Sequence, residues 1–293
     1  MASITQTQIE QWITEQATGT FHYTKILDGA ISPTLYPQLR VVMKRCKEKG
    51  IAYPVSGKDG WWRPADNAIE ELQWWDSAGV QDGNLLLPLE INNYCYIPRP
   101  ALILVAGKYN AGKSAFCLNT VALNAEKWGD NLDFFVSEGA EMIRPKFEKL
   151  GITGSPLFHT YHKTTNFADV IKPDNLSIID YLRVDMEQPY AVSNKLFEIF
   201  NKLKTGIAVV AMQKPPGNRK LAFGGASTAF EPVLYIGLDS NGSNTGWIGF
   251  EKIKLPRQYG GADPYKVKIE YRIEAGVKFY DVHSKIDNTE ETF

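Results

Sequence analysis

Apolar positions at helical spacing open the chain. Between Thr5 and Ala17 they fall at Ile9, Trp12, Ile13 and Ala17, one buried face of a short helix. Ser32-Pro33 offers an N-cap followed by proline at the first helical position, so a second helix is predicted from there to about Lys49, ending at Gly50. Leu35, Leu39, Val42, Met43 and Cys46 line its inner side. Ile51–Val55, the turn Gly57-Lys58-Asp59-Gly60 and Trp61-Trp62-Arg63 read as a β-hairpin. Proline and glycine then break the pattern, and residues 67–97 are expected to form a connector whose aromatics pack on something, for instance a neighbouring subunit. From residue 98 short apolar runs alternate with amphipathic helices. Strands are predicted at Ala101–Ala106, Leu132–Val136, Leu176–Ile179 and Ile207–Met212, with helices at Lys113–Trp128, Ala140–Leu150 and Val192–Leu203. That alternation implies an α/β fold, a mostly parallel sheet between helices. Val233–Leu238, Thr245–Lys254, Tyr265–Ile273 and Val277–Val282 follow without helices and are expected as antiparallel additions, giving a core over residues 98–284. Residues 285–293 form an acidic tail, expected to be disordered.

Composition narrows the class. The 293 residues are 44% hydrophobic and 22% charged, ordinary for a globular protein, and the net charge of −1 provides no global field to recruit nucleic acid. A local field exists: seven basic residues against two acidic ones lie between Arg40 and Arg63. Helices followed by a hairpin make residues 1–66 resemble a winged helix-turn-helix. That resemblance implies DNA binding, with the second helix in a major groove, and protein docking is the alternative. Cys46, Cys95 and Cys117 have no metal-ligand spacing, and His22, His159, His162 and His283 form no cluster. The first residues lack a signal-peptide pattern and no apolar stretch is long enough to span a bilayer. The expectation is a cytoplasmic protein with no membrane partner.

The chemistry concentrates in Gly107-Lys108-Tyr109-Asn110-Ala111-Gly112-Lys113-Ser114, which matches G-x-x-x-x-G-K-[ST] in full. Glycines let the backbone curl so that several N–H groups face a phosphate, and the helix starting at Lys113 adds its positive end. The expected cofactors are ATP and Mg2+. Gly107, Asn110, Ala111, Gly112, Lys113, Ser114 and Ala115 would contact the nucleotide, and Ser114 would ligate the metal. The apolar run Leu176–Ile179 ends in Asp180, a second metal-holding carboxylate. Glu138 follows Leu132–Val136, taken as the strand beside the phosphate loop, and is the preferred group to polarise water, with Glu141 the near competitor. Gln213 ends Ile207–Met212 and would sense the γ-phosphate. The basic segment 214–227 behind it is expected to be a flexible nucleic-acid contact loop.

In order along the chain, the phosphate loop, Phe135-Val136-Ser137-Glu138, Ile178-Ile179-Asp180-Tyr181-Leu182 and Val209-Val210-Ala211-Met212-Gln213 resemble RecA-like ATPases. They look most like the motor domain of DnaB-type replicative helicases. That resemblance implies a RecA-like core hydrolysing ATP as a homo-oligomer, ring or filament, with sites between subunits and DNA as partner. Glu251-Lys252-Ile253-Lys254-Leu255-Pro256-Arg257, with Gly260-Gly261, resembles the strand that reaches a neighbour's site. The trans-acting role is carried to Lys254 or Arg257, although two residues separate the pair where the family has one. Three functions follow: a helicase or translocase, a recombination or transposition ATPase forming a filament without unwinding, or an ATP-gated regulator binding an operator or protein partner. The winged-helix-like module and the acidic tail are the possible protein-docking elements.

Overall fold

Strands buried on both faces need uninterrupted apolar sequence, and the long runs after residue 98 are such strands. The computed structural model describes residues 5–27, 31–67, 71, 75, 79, 81–185, 187–242, 244–257 and 263–286. Gly260-Gly261 and all but the first two residues of the 285–293 tail lie outside that set. The chain divides into two units, Met1–Ser77 and Ala78–Phe293.

The first unit runs α1 (Gln6–Glu15), β1 (Phe21–His22), α2 (Tyr36–Glu48), β2 (Ala52–Pro54) and β3 (Trp61–Pro64), with a short 3-10 turn at Pro33–Leu35. A capping box starts α1: the Gln8 N–H donates to the Thr5 hydroxyl, and the Thr5 N–H donates to the Gln8 side chain. The second helix begins later than its sequence suggests. Ser32 makes no side-chain cap, the chain turns once as 3-10, and α2 starts at Tyr36 with Pro37 in its first turn. The sheet order is β1-β3-β2, all antiparallel, so the two-residue β1 pairs with the far strand of the hairpin. Ile9, Ile13, Ile26, Met43 and Cys46 fill the core, and Trp12 meets Phe21 edge-on at 5.2 Å.

The second unit contains β4 (Ala101–Gly107), α3 (Lys113–Trp128), β5 (Leu132–Val136), α4 (Ala140–Lys149), β6 (His159–His162), β7 (Leu176–Asp180), α5 (Val192–Lys202) and β8 (Ile207–Gln213). It ends with β9 (Leu234–Ser240), β10 (Thr245–Ile253), β11 (Val267–Glu274) and β12 (Lys278–Ile286). Among the described residues these strands make one nine-stranded sheet in the order β12-β11-β10-β9-β4-β8-β7-β5-β6. It is parallel from β9 to β6 and antiparallel from β9 to β12. Side chains of β4 alternate between two cores. Ala101, Ile103 and Val105 face the α3 and α4 side, while Leu102, Leu104 and Ala106 face α5. The outcome is an α/β core covered on both faces, with a mostly parallel sheet.

Two expectations change here, and one strand is added. The strands beside the phosphate-loop strand are β8 and β9, not β5: β8 and β7 both lie between β4 and β5. The polar β6 extends the sheet beyond β5. The second half of the expected connector is core, because Leu85, Leu87, Leu89, Ile91, Cys95 and Ile97 are buried with α3 and β4. Asn124, fully buried on α3, secures this segment. Its amide accepts from the Leu86 N–H at 3.0 Å and donates to the carbonyls of Leu86 and Thr120, each at 2.7 Å. Replacing Asn124 with Ala strands those backbone groups, so the denaturation midpoint should fall by the equivalent of about 2–3 kcal/mol with an unchanged slope.

Candidate functional site

Parallel strands deliver their C-terminal ends to one edge of the sheet, and the candidate residues meet there. Gly107 of β4 pairs with Gln213 of β8, and Val136 of β5 pairs with Asp180 of β7. The loop 107–112 joins β4 to α3 and borders an open cleft of about 650 Å3. Of the expected residues, Asn110, Ala111, Gly112, Lys113, Ser114, Ala115, Glu138, Asp180 and Gln213 line it.

Glycine is required twice in this loop. Gly112 has φ +89°, a left-handed conformation. A Cβ at Gly107 would lie 2.9 Å from Lys113 Cγ, so its absence lets the lysine stem pass back over the loop. The Lys113 ammonium then donates to the carbonyls of Gly107 at 2.9 Å and Lys108 at 2.8 Å, and to Gln213 Oε1 at 2.9 Å. Burial lowers its pKa to about 8, against the opposing pull of Asp180. Asp180 accepts a hydrogen bond from the Ser114 hydroxyl. Burial raises its pKa, Ser114 opposes that rise and the Glu138 carboxylate adds to it.

No group of three or more potential metal-ligating side chains occurs among the described residues. A hydroxyl beside one carboxylate at the rim of a phosphate loop suits Mg2+, which keeps several waters and takes further ligands from phosphate oxygens. The residues present therefore fit Mg-nucleotide, which Ser114 and Asp180 would hold.

Glu138 also borders the cleft, although its strand is not adjacent to β4. Its carboxylate is paired with Lys146 of α4. Glu141 does not line the cleft. Behind Gln213 the segment 214–227 is more built than its sequence suggests. Lys214 is 2% exposed, its ammonium lies 2.9 Å from Asp239, and Asp239 also pairs with Lys108 of the phosphate loop at 3.4 Å. Its backbone N–H donates to Gly107. A 3-10 turn occupies Gly225–Ala229, and only Pro216–Lys220 forms a continuous exposed stretch.

Lys254 and Arg257 lie at the other end of the sheet. The Lys254 N–H donates to Val233, whose N–H donates to Leu102, five residues before Gly107 in β4 and so roughly 16 Å away along the strand. Arg257 is engaged within its own chain: it pairs with Asp82 and its guanidinium sits 3.9 Å from the Tyr96 ring centroid. Lys254 is exposed. The strand-end logic did not reach Ser240, Asn244, Thr245, Tyr271 and Ile273, which also line the cleft. The three cysteines are unpaired and buried, and burial pushes the thiols of Cys46 and Cys95 up to about 11 and 12.

No protein-family model matches this chain, and no curated protein matches it. Among solved structures it is similar to a KaiC-like protein from the hyperthermophilic archaeon Pyrococcus horikoshii. The two share 18% sequence identity over 69% of this chain and 99% of that one, with a TM-score of 0.46. The class is given by the chain's own topology and loop: an α/β protein with a mostly parallel sheet between helices and a complete phosphate-loop sequence. No described helix is long and apolar enough to cross a membrane.

Proposed function

We propose that this chain is an ATP-hydrolysing motor or remodelling ATPase that acts on DNA as a homo-oligomer, with nucleotide sites shared between protomers. The observation that carries the reading is the convergence of Lys113, Ser114, Glu138, Asp180 and Gln213 on one cleft beside the phosphate loop. Lys113 would hold the β- and γ-phosphates, and the loop amides would bind around them. Ser114 and Asp180 would hold Mg2+, which supplies charge neutralisation to phosphoryl transfer. Glu138, released from Lys146, would orient and deprotonate the attacking water. Gln213 would sense the γ-phosphate, and its chain neighbour Lys214 would carry that state into the segment ending at the exposed Asn218-Arg219-Lys220.

DNA as the partner is supported by two surfaces. The first is that exposed basic stretch. The second is the N-terminal unit, whose order of helix, strand, two 3-10 turns, helix and hairpin, with β1 on β3, supports the resemblance to a winged helix-turn-helix. Arg45 of α2 and Lys49 just after it are tied to Gln6 and Glu10 of α1, while Lys44 and Lys47 are also exposed. The likeness to a DnaB-type motor makes helicase or translocase activity the first form of the proposal and a non-unwinding filament the second. A strand-displacement assay separates them.

The direct test is ATPase activity with no DNA, single-stranded DNA and duplex DNA, with Lys113→Ala as the control. Stimulation by DNA is expected, and no response to any nucleic acid would favour an ATP-gated regulator. Arg219→Ala should weaken DNA binding across sequences and reduce the salt dependence of the affinity by about one phosphate contact, read from titrations at several salt concentrations.

A further inference from the structure

The β11–β12 hairpin backs onto the phosphate loop. Tyr271 of β11 donates its hydroxyl hydrogen bond to the Ala111 carbonyl at 2.7 Å, and the residue is 2% exposed. The ring is hemmed in. Across the strands it faces Gly246, where an added Cβ would strike the hydroxyl at 2.7 Å, and Phe279 meets it edge-on at 5.0 Å. A Cβ at Gly112 would lie 2.7 Å from Ile273 Cδ1. The hairpin therefore fills the space behind Ala111 and Gly112, and Tyr271 keeps its hold unless that packing opens. Burial, with Asp239 adding to it, raises the phenol's pKa further, so the hydroxyl remains a donor.

The Ala111–Gly112 peptide unit is planar and trans, so the carbonyl held by Tyr271 and the Gly112 N–H point in opposite directions. Gly112 lines the cleft, and N–H groups at this point of a phosphate loop are the ones turned on the ligand. We infer that Tyr271 is a positioning residue of the nucleotide site: by fixing the Ala111 carbonyl it aims the Gly112 N–H at a phosphate oxygen. A hydrogen bond to the carbonyl also polarises the unit and strengthens its N–H as a donor. The ligand group it serves is the phosphoanhydride chain, not the base or the sugar. This inference rests on the phosphate-loop reading above.

Tyr271→Phe removes one hydroxyl and preserves the ring. Calorimetric titration of the full chain with MgATP, MgADP and magnesium pyrophosphate should show all three dissociation constants raised by a similar factor, roughly 3–10-fold. In steady-state hydrolysis KM should rise by that factor while kcat stays within about twofold. Unchanged dissociation constants, or a loss confined to ATP, would overturn the assignment. Lys113→Ala separates the two levels. If that variant still binds all three ligands, the phosphate-loop reading itself fails. If it loses them, the site stands and the Tyr271→Phe result speaks for Tyr271 alone.

Discussion

Lys113→Ala should abolish nucleotide hydrolysis, lowering kcat/KM by about 10²–10⁴-fold while the protein stays folded. The magnitude follows from charge-assisted bonds to two phosphates at roughly 1.5–3 kcal/mol each, with 1.36 kcal/mol worth a factor of ten in rate. Folding should survive because the lysine spans a loop on the cleft and its removal opens no core cavity. Its ammonium is also costly where it sits, since burial pulls its pKa down to about 8. Lys113→Arg is the more discriminating variant. It keeps the charge, but the lysine stem passes 2.9 Å from where Gly107 would carry a Cβ, and the ammonium is held between two loop carbonyls and Gln213. A planar guanidinium does not match that arrangement of three short bonds around a point charge. Lys113→Arg should therefore fall within about tenfold of Lys113→Ala, measured by phosphate release at saturating magnesium. Near-wild-type hydrolysis by Lys113→Ala would remove the basis for every role assigned to this cleft.

How far the sequence led depended on which physical signal each element leaves. β4, β5, β7 and β8 were legible because a strand covered on both faces is predominantly apolar, and three of them end where the chemistry is needed: Gly107, Asp180 and Gln213. β6 left no such signal. Its four residues, His159-Thr160-Tyr161-His162, are all exposed, and it is a strand only because its backbone completes the β5 ladder. The segment after residue 84 did carry a signal. Leu85, Leu87, Leu89 and Ile91 are buried while Leu86 is exposed, a period of two, but Pro88 and left-handed Asn84, Leu89 and Glu90 keep it from being a regular strand. Neither the adjacency of β4 to β8 nor the burial of Lys214 could be read locally. The first is a matter of sheet order, and the second depends on Asp239, distant in sequence. Tyr271 is the extreme case. Its partner Ala111 lies 160 residues earlier, so nothing in either neighbourhood marks the contact.

Mixing two inactive variants should restore hydrolysis if the site is shared between protomers. Lys254 lies level with the start of β4, roughly 16 Å along the strand from the phosphate loop, at the opposite sheet end from Lys113 and Asp180. A side chain there cannot serve its own cleft, so any role of Lys254 in hydrolysis would be at the cleft of another copy in a head-to-tail assembly. Of the two basic candidates, Arg257 is committed to Asp82 and Tyr96 within its chain, whereas Lys254 is exposed. Lys254→Ala alone should then cost about 10³-fold in kcat with little effect on nucleotide affinity, the signature of a cation that acts on transition-state charge. Lys113→Ala protomers retain Lys254 but have a dead loop. Lys254→Ala protomers retain the loop but lack the cation. In an equimolar, randomly mixed assembly, about one interface in four pairs an intact loop with an intact Lys254, so hydrolysis should return to about a quarter of the wild-type rate. Arg257→Ala should act differently, loosening the segment it anchors and lowering the melting temperature more than kcat. A mixture no more active than the sum of its two components would leave Lys254 without a trans role and this chain's site complete within one protomer.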